Sequence, residues 1–104
     1  MAERRPRKIE DVLGLARRCI EEDRWRDSRH GAERRAKRDV TVQEMRQVVM
    51  GGWREESRDE FRREYQSWSY VVRGKTVDGR SLRIVFSFDE KTWMLIITAV
   101  DLDR

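Results

Sequence analysis

Ser81-Leu82-Arg83-Ile84-Val85-Phe86-Ser87-Phe88 is the stretch that decides the fold. Its large apolar residues, Leu82, Ile84, Phe86 and Phe88, recur at every second position, the period of a strand with one face on a core. Arg83 falls on the opposite face. Just before it, Val77-Asp78-Gly79-Arg80 carries Asp-Gly, a strong hairpin signal. Residues 67–75 alternate Trp68, Tyr70 and Val72 against Ser67, Ser69 and Arg73. Asp89-Glu90-Lys91-Thr92 reads as a second turn. Residues 93–100 are apolar on both faces, which marks the most buried strand. Residues 53–57 read as a short edge strand. Residues 58–66 are highly charged and allow a helical turn, with Phe61 and Tyr65 four apart, or a long loop.

Towards the N-terminus the period changes from two to 3.6. Ile9, Val12, Leu13, Ala16, Cys19 and Ile20 form one apolar stripe, which predicts a helix over residues 8–24. A short second helix follows, capped by Asp27 or Ser28, with Ala32 and Ala36 small enough for close packing. The third, residues 42–50, begins with the capping box Thr41-Val42-Gln43-Glu44 and ends at Gly51-Gly52. Residues 1–7 read as a disordered tail and residues 8–104 as a single domain. The fold class is α+β: three N-terminal helices packed on a C-terminal antiparallel sheet of three or four strands.

The chain has 104 residues and a net charge of +4. From Arg24 to Arg38 there are seven basic residues and two acidic ones, a local excess that attracts a phosphate backbone. Cys19 is the sole cysteine, so an internal disulfide is ruled out and a reducing, cytoplasmic setting is expected. It lies on the apolar stripe, as a buried inert thiol does. No apolar run reaches membrane-spanning length, and no apolar stretch follows the basic N-terminus to make a secretory leader.

Glycine loops for phosphate and dinucleotide are absent from the sequence. One histidine and one distant cysteine cannot build a typical zinc site, and neither metal nor cofactor is expected. The carboxylates are interleaved with arginines, as on a solvated face. His30, Arg34 and Arg38 step by four and so share a helix face. A histidine moves protons near neutral pH, and arginines hold phosphate and stabilise charge developing on it. Metal-independent RNA cleavage needs that combination. The same spacing also suits a structural histidine beside solvated arginines, and both readings stay open on spacing alone. Arg29 and Arg35 belong to the same basic segment. Tyr65, Tyr70, Arg73 and Arg83 fit an open sheet face, where Arg73 and Arg83 join Arg29 and Arg35 as nucleic-acid-binding candidates, and Tyr65, Tyr70 or a carboxylate is available for the opposite proton transfer. The four tryptophans fit core packing better than base stacking, and Thr98 fits a hydrogen-bonded structural role.

The segment from Ser28-Arg29-His30 through Arg34, Arg38 and Val40 to Thr41-Val42-Gln43-Glu44 resembles the bacterial DUF4258 family. That family's pattern is Ser-x-His, arginines four and eight residues on, an aliphatic residue, and a Ser/Thr-capped helix. Gly74 to Phe86 resembles its glycine-bearing hairpin, and Leu95-Ile96-Ile97-Thr98 its closing strand. The resemblance spans roughly residues 9–101, with Gly31 where alanine is usual and Asp39 where glycine is common. It implies an α+β domain similar to the RelE-like and BrnT-like toxins of bacterial toxin–antitoxin pairs. By that similarity the expected function is a metal-independent ribonuclease, its partners RNA and an antitoxin protein. His30 would be the acid or base and Arg34 and Arg38 the phosphate clamps. The alternative is a non-catalytic module that binds nucleic acid or protein.

Overall fold

The computed structural model describes residues 5–89 and 93–103. In chain order the elements are α1 (Val12–Glu21), β1 (Trp25–Asp27), α2 (Gly31–Lys37), α3 (Val42–Gly51) and β2 (Trp53–Arg54). A 3-10 turn (Glu56–Arg58) follows, then β3 (Glu60–Arg62), β4 (Ser67–Lys75), β5 (Ser81–Asp89) and β6 (Trp93–Asp101). The class is α+β, but the sheet is larger than expected and it is mixed. Its order is β1-β6-β5-β4-β2, with β3 also pairing β4.

The meander β4-β5-β6 is antiparallel, with Val72 opposite Ile84 and Ile84 opposite Ala99. The Asp78-Gly79 turn joins β4 to β5, and Gly79 takes the φ of 87° that such a turn requires. Most of the second expected turn, residues 90–92, lies outside the described residues. β5, not β6, holds the middle of the sheet. Two strands come from segments read otherwise. β1 forms where the first helix was expected to end, and it runs parallel to β6, with Trp25 opposite Met94 and Asp27 opposite Ile96. β3 forms within the charged stretch, where Phe61 is buried edge-on against Trp68.

Leu82, Ile84 and Phe86 are fully buried and Phe88 nearly so. They pack in one core with Val12, Ala16 and Ile20 of α1 and Met45, Val48 and Val49 of α3. α3 lies on β4 and β5, and α1 lies on α3. Cys19 is fully buried, and desolvation pushes its thiol pKa up. The other side of the sheet carries a small second cluster, Val71, Val85 and Ile97. Ile97 reaches that side because the β5–β6 register slips between Val85 and Phe86: Val85 faces Thr98, while Phe86 faces Ile96. The extra residue is a β-bulge, and it lets β6 place apolar side chains on both faces.

α1 is shorter than its apolar stripe. Asp11 caps it by accepting from the Gly14 amide, and the Ile9 amide instead donates to the Tyr70 hydroxyl at 3.0 Å. The Trp68 indole donates to the Pro6 carbonyl, and Lys8 pairs with the fully buried Asp59 carboxylate. Both α1 and α2 end in a Schellman motif. In α1 the amides of Asp23 and Arg24 donate to the carbonyls of Ile20 and Cys19. In α2 those of Asp39 and Val40 donate to Ala36 and Arg35. Asp23 and Asp39 both take φ of 54°. Of the described helices, none is long and apolar enough to cross a membrane.

Two outcomes follow. Ile84→Asp places an unpaired charge in the core, at a cost of several kcal/mol. Circular dichroism should show no cooperative melt, whereas a soluble, cooperatively melting variant contradicts the packing above. Asp39→Gly relieves a left-handed conformation that costs an L-residue about 1 kcal/mol. Its melting temperature should rise by a few degrees, and an unchanged or lower value contradicts the strain.

Candidate functional site

α2 is positioned by close contacts of its first turn with β6 and with Ser28. The Ser28 amide donates to the Ile96 carbonyl at 2.8 Å, which extends the parallel pairing by one residue. The Ser28 hydroxyl accepts from the Gly31 amide at 3.0 Å. Gly31 sits so close to the strand that a Cβ there would lie 2.4 Å from the Ile96 carbonyl oxygen. Here the chain has glycine where the resembling pattern has alanine. The helix therefore runs beside β6, with Gly31 buried. Ala32 and Ala36, expected as packing residues, face solvent.

His30 stands at the start of α2, Arg34 in its middle and Arg38 at its end. The Arg34 amide donates to the His30 carbonyl at 3.0 Å and the Arg38 amide to the Arg34 carbonyl at 3.2 Å. They occupy one stripe, about 12 Å long at the α-helical rise. The His30 side chain is 62% exposed, with its Nδ1 4.0 Å from a Glu33 oxygen. Arg34 is exposed and its side chain makes no hydrogen bond or ion pair to another described residue, and the same holds for the side chains of Arg29 and Lys37. Arg38 is anchored: Nη1 donates to Thr98 Oγ1 at 2.7 Å and to the Ala99 carbonyl at 2.8 Å.

The other candidates divide. Arg35 points inward and holds Asp27 at 2.7 Å and the Val40 carbonyl at 3.3 Å. Arg83 lies on the outer face of β5, as its alternation requires, and is clamped by Glu55 at 2.6 and 3.2 Å. Those two arginines knit the fold together. Arg73 is half-buried, opposite Arg83 in the ladder. Tyr70 is buried on the core face, where burial raises its pKa. Its hydroxyl accepts from Ile9, so it is set apart from α2. Tyr65 is exposed on a turn. Trp53 and Trp93 are exposed and Trp25 and Trp68 half-buried, so only the latter two add to the core.

Three residues near the site were not singled out as part of it. Glu33 could have been found from its i,i+3 relation to His30. Thr98 was read as structural, yet its partner is Arg38. Arg80 carried no local signal. It lies at the hairpin, donates to the Arg38 and Asp39 carbonyls at 3.3 and 2.9 Å, and so braces the end of α2.

The family model for a domain of unknown function, DUF4258, matches residues 28–101. The chain belongs to the DUF4258 family. The match starts two residues before His30 and ends with β6, so it takes in α2 and the strand it rests on. No curated protein and no solved structure matches the chain.

The Glu55–Arg83 pair has a pH signature. Hydrogen bonding to Arg83 lowers the Glu55 pKa below its ordinary 4.5. A depressed carboxylate stabilises the fold fully above its unfolded value and loses that contribution as pH falls through the folded one. The stability advantage of wild type over Glu55→Gln should therefore be constant above about pH 6 and shrink below pH 4.5. Urea melts across this range check it, and a pH-independent difference contradicts the pairing.

Proposed function

We propose that this DUF4258 domain binds single-stranded RNA along α2 and cleaves it without a metal, as toxin-type ribonucleases do. The observation that carries the reading is a division among the basic residues. Arg35, Arg54, Arg80 and Arg83 are engaged by Asp27, Asp59, Glu44, Asp101 and Glu55. Arg29, Arg34 and Lys37 are exposed around His30 without such partners. An unneutralised cationic stripe with one imidazole at its head suits a phosphodiester.

In the proposed reaction a base takes the proton of a ribose 2′-hydroxyl, and the 2′-oxygen attacks phosphorus. The 5′-oxygen then leaves with a proton from the acid, giving a 2′,3′-cyclic phosphate and a 5′-hydroxyl. Arg34 and Arg38 hold the non-bridging oxygens. His30 takes one proton role, and Glu33, 4.0 Å from its imidazole, is the nearest group for the other or for orienting the ring. On this toxin-like reading an antitoxin protein is the natural inhibitor. The open exposure of His30 favours a second reading, a binding module that holds RNA without cutting it.

Purified protein incubated with RNA separates the two. Wild type should leave 2′,3′-cyclic ends. His30→Gln should stay folded, keep RNA binding and lose cleavage by about 100-fold or more, the usual worth of a general acid or base. A His30→Gln protein as active as wild type removes the histidine from the mechanism. Salt-dependent binding with no cleavage by wild type selects the module instead.

A further inference from the structure

On the outer face of the sheet, across β1, β6, β5 and the turn before β4, lies a cavity of about 340 Å³. Leu95 and Tyr65 give it apolar walls, and Ser67, Ser87, Arg26 and Asp89 line its polar side. The Tyr65 side chain, on a residue 40% exposed, projects from a tight turn. Its own amide bonds to the Arg62 carbonyl, and Gln66 next to it takes φ of 50° and bonds to Arg63.

The hydroxyls assign themselves. Ser87 Oγ donates to the Trp68 carbonyl at 2.8 Å, so in the 3.1 Å contact between the two serines Ser67 is the donor. Ser67 thereby offers lone pairs to a ligand N–H. Arg26, bonded to Asp89 through Nη2 at 3.0 Å, offers N–H groups to a ligand acceptor. A flat heterocycle with neighbouring donors and acceptors matches an aromatic wall beside a hydroxyl and a guanidinium. Place matters too. Arg26 is opposite Leu95, and from Arg26 the chain runs through Asp27 and Ser28 into α2. Arg26 and Leu95 of the cavity therefore lie towards the start of α2, where Ser28 meets Ile96, and not towards its end, where Arg38 meets Thr98.

We propose that this cavity holds one unpaired nucleobase of the bound RNA, stacked on Tyr65, with Arg26 and Ser67 meeting its edge. The proposal rests on the RNA reading above and gives Tyr65 a binding role in place of a proton-transfer one. The test uses labelled 2′-O-methyl hexaadenylate, which has no hydroxyl to attack, and a ribose-phosphate chain of the same length without bases. Fluorescence anisotropy should show wild type binding the base-bearing chain on the order of 10-fold more tightly. Tyr65→Ala, its fold verified by thermal melting, should lose that difference, and Tyr65→Phe should keep it. Arg34→Glu should weaken both chains alike.

If Tyr65→Ala retains the preference, or wild type binds both chains equally, the base pocket is wrong while the phosphate reading stands. If wild type binds neither chain, both fall together.

Discussion

Arg80 is the point on which the arrangement turns. Its guanidinium bonds to the Asp101 carboxylate at 2.9 and 3.2 Å, to Glu44 at 2.7 Å, and to the carbonyls of Arg38 and Asp39. The β4–β5 hairpin, the end of β6 and the connection from the end of α2 to the start of α3 meet there. A helix ends with carbonyls that lack intrahelical partners, and a cation there satisfies them and the helix dipole together. The mostly buried charge is tolerable because two carboxylates and two carbonyls surround it, and the bonds to Asp101 and then Glu44 raise its pKa further. Glu44 also closes the capping box with Thr41. One side chain thus joins the helix cap, the hairpin and the α2 terminus.

The two faces of the sheet have separate duties. The inner face, with Leu82, Ile84 and Phe86, is sealed by α1 and α3. The outer face is only partly apolar. It depends on the bulge at Ile97 to complete a small cluster with Val71 and Val85, and it leaves polar side chains around that cluster. α2 adds its row of cations at the β6 edge, where Arg38 reaches across to Thr98.

Much of this was legible in the residues. Period-two alternation identified β4 and β5, Asp78-Gly79 the turn between them, and Thr41 to Glu44 the start of α3. What could not be read has physical causes. Trp25-Arg26-Asp27 and Glu60-Phe61-Arg62 are too short to show a period, and they become strands only because β6 and β4 offer free edges. Ile9 continues the apolar stripe of α1 but stays out of the helix, because Asp11, two residues later, caps the helix through the Gly14 amide. At the site, the spacing of His30, Arg34 and Arg38 was plain. Which arginines face solvent without a partner was not, because their acids come from elsewhere in the chain. Arg83 finds Glu55 28 positions away and Arg80 finds Asp101 21 away, and only the folded chain brings such pairs together.

The parallel pairing of β1 with β6 joins Trp25 to Met94, near opposite ends of the sequence. α2 leans on the same late strand through Ser28, Gly31 and Arg38. On a ribosome the helix segment emerges long before its support, and contacts of such wide separation close last. The His30 stripe therefore has no fixed place during synthesis and acquires one only when β6 has been translated and docked. If that stripe holds RNA as proposed, its binding surface stays unassembled until β6 has docked.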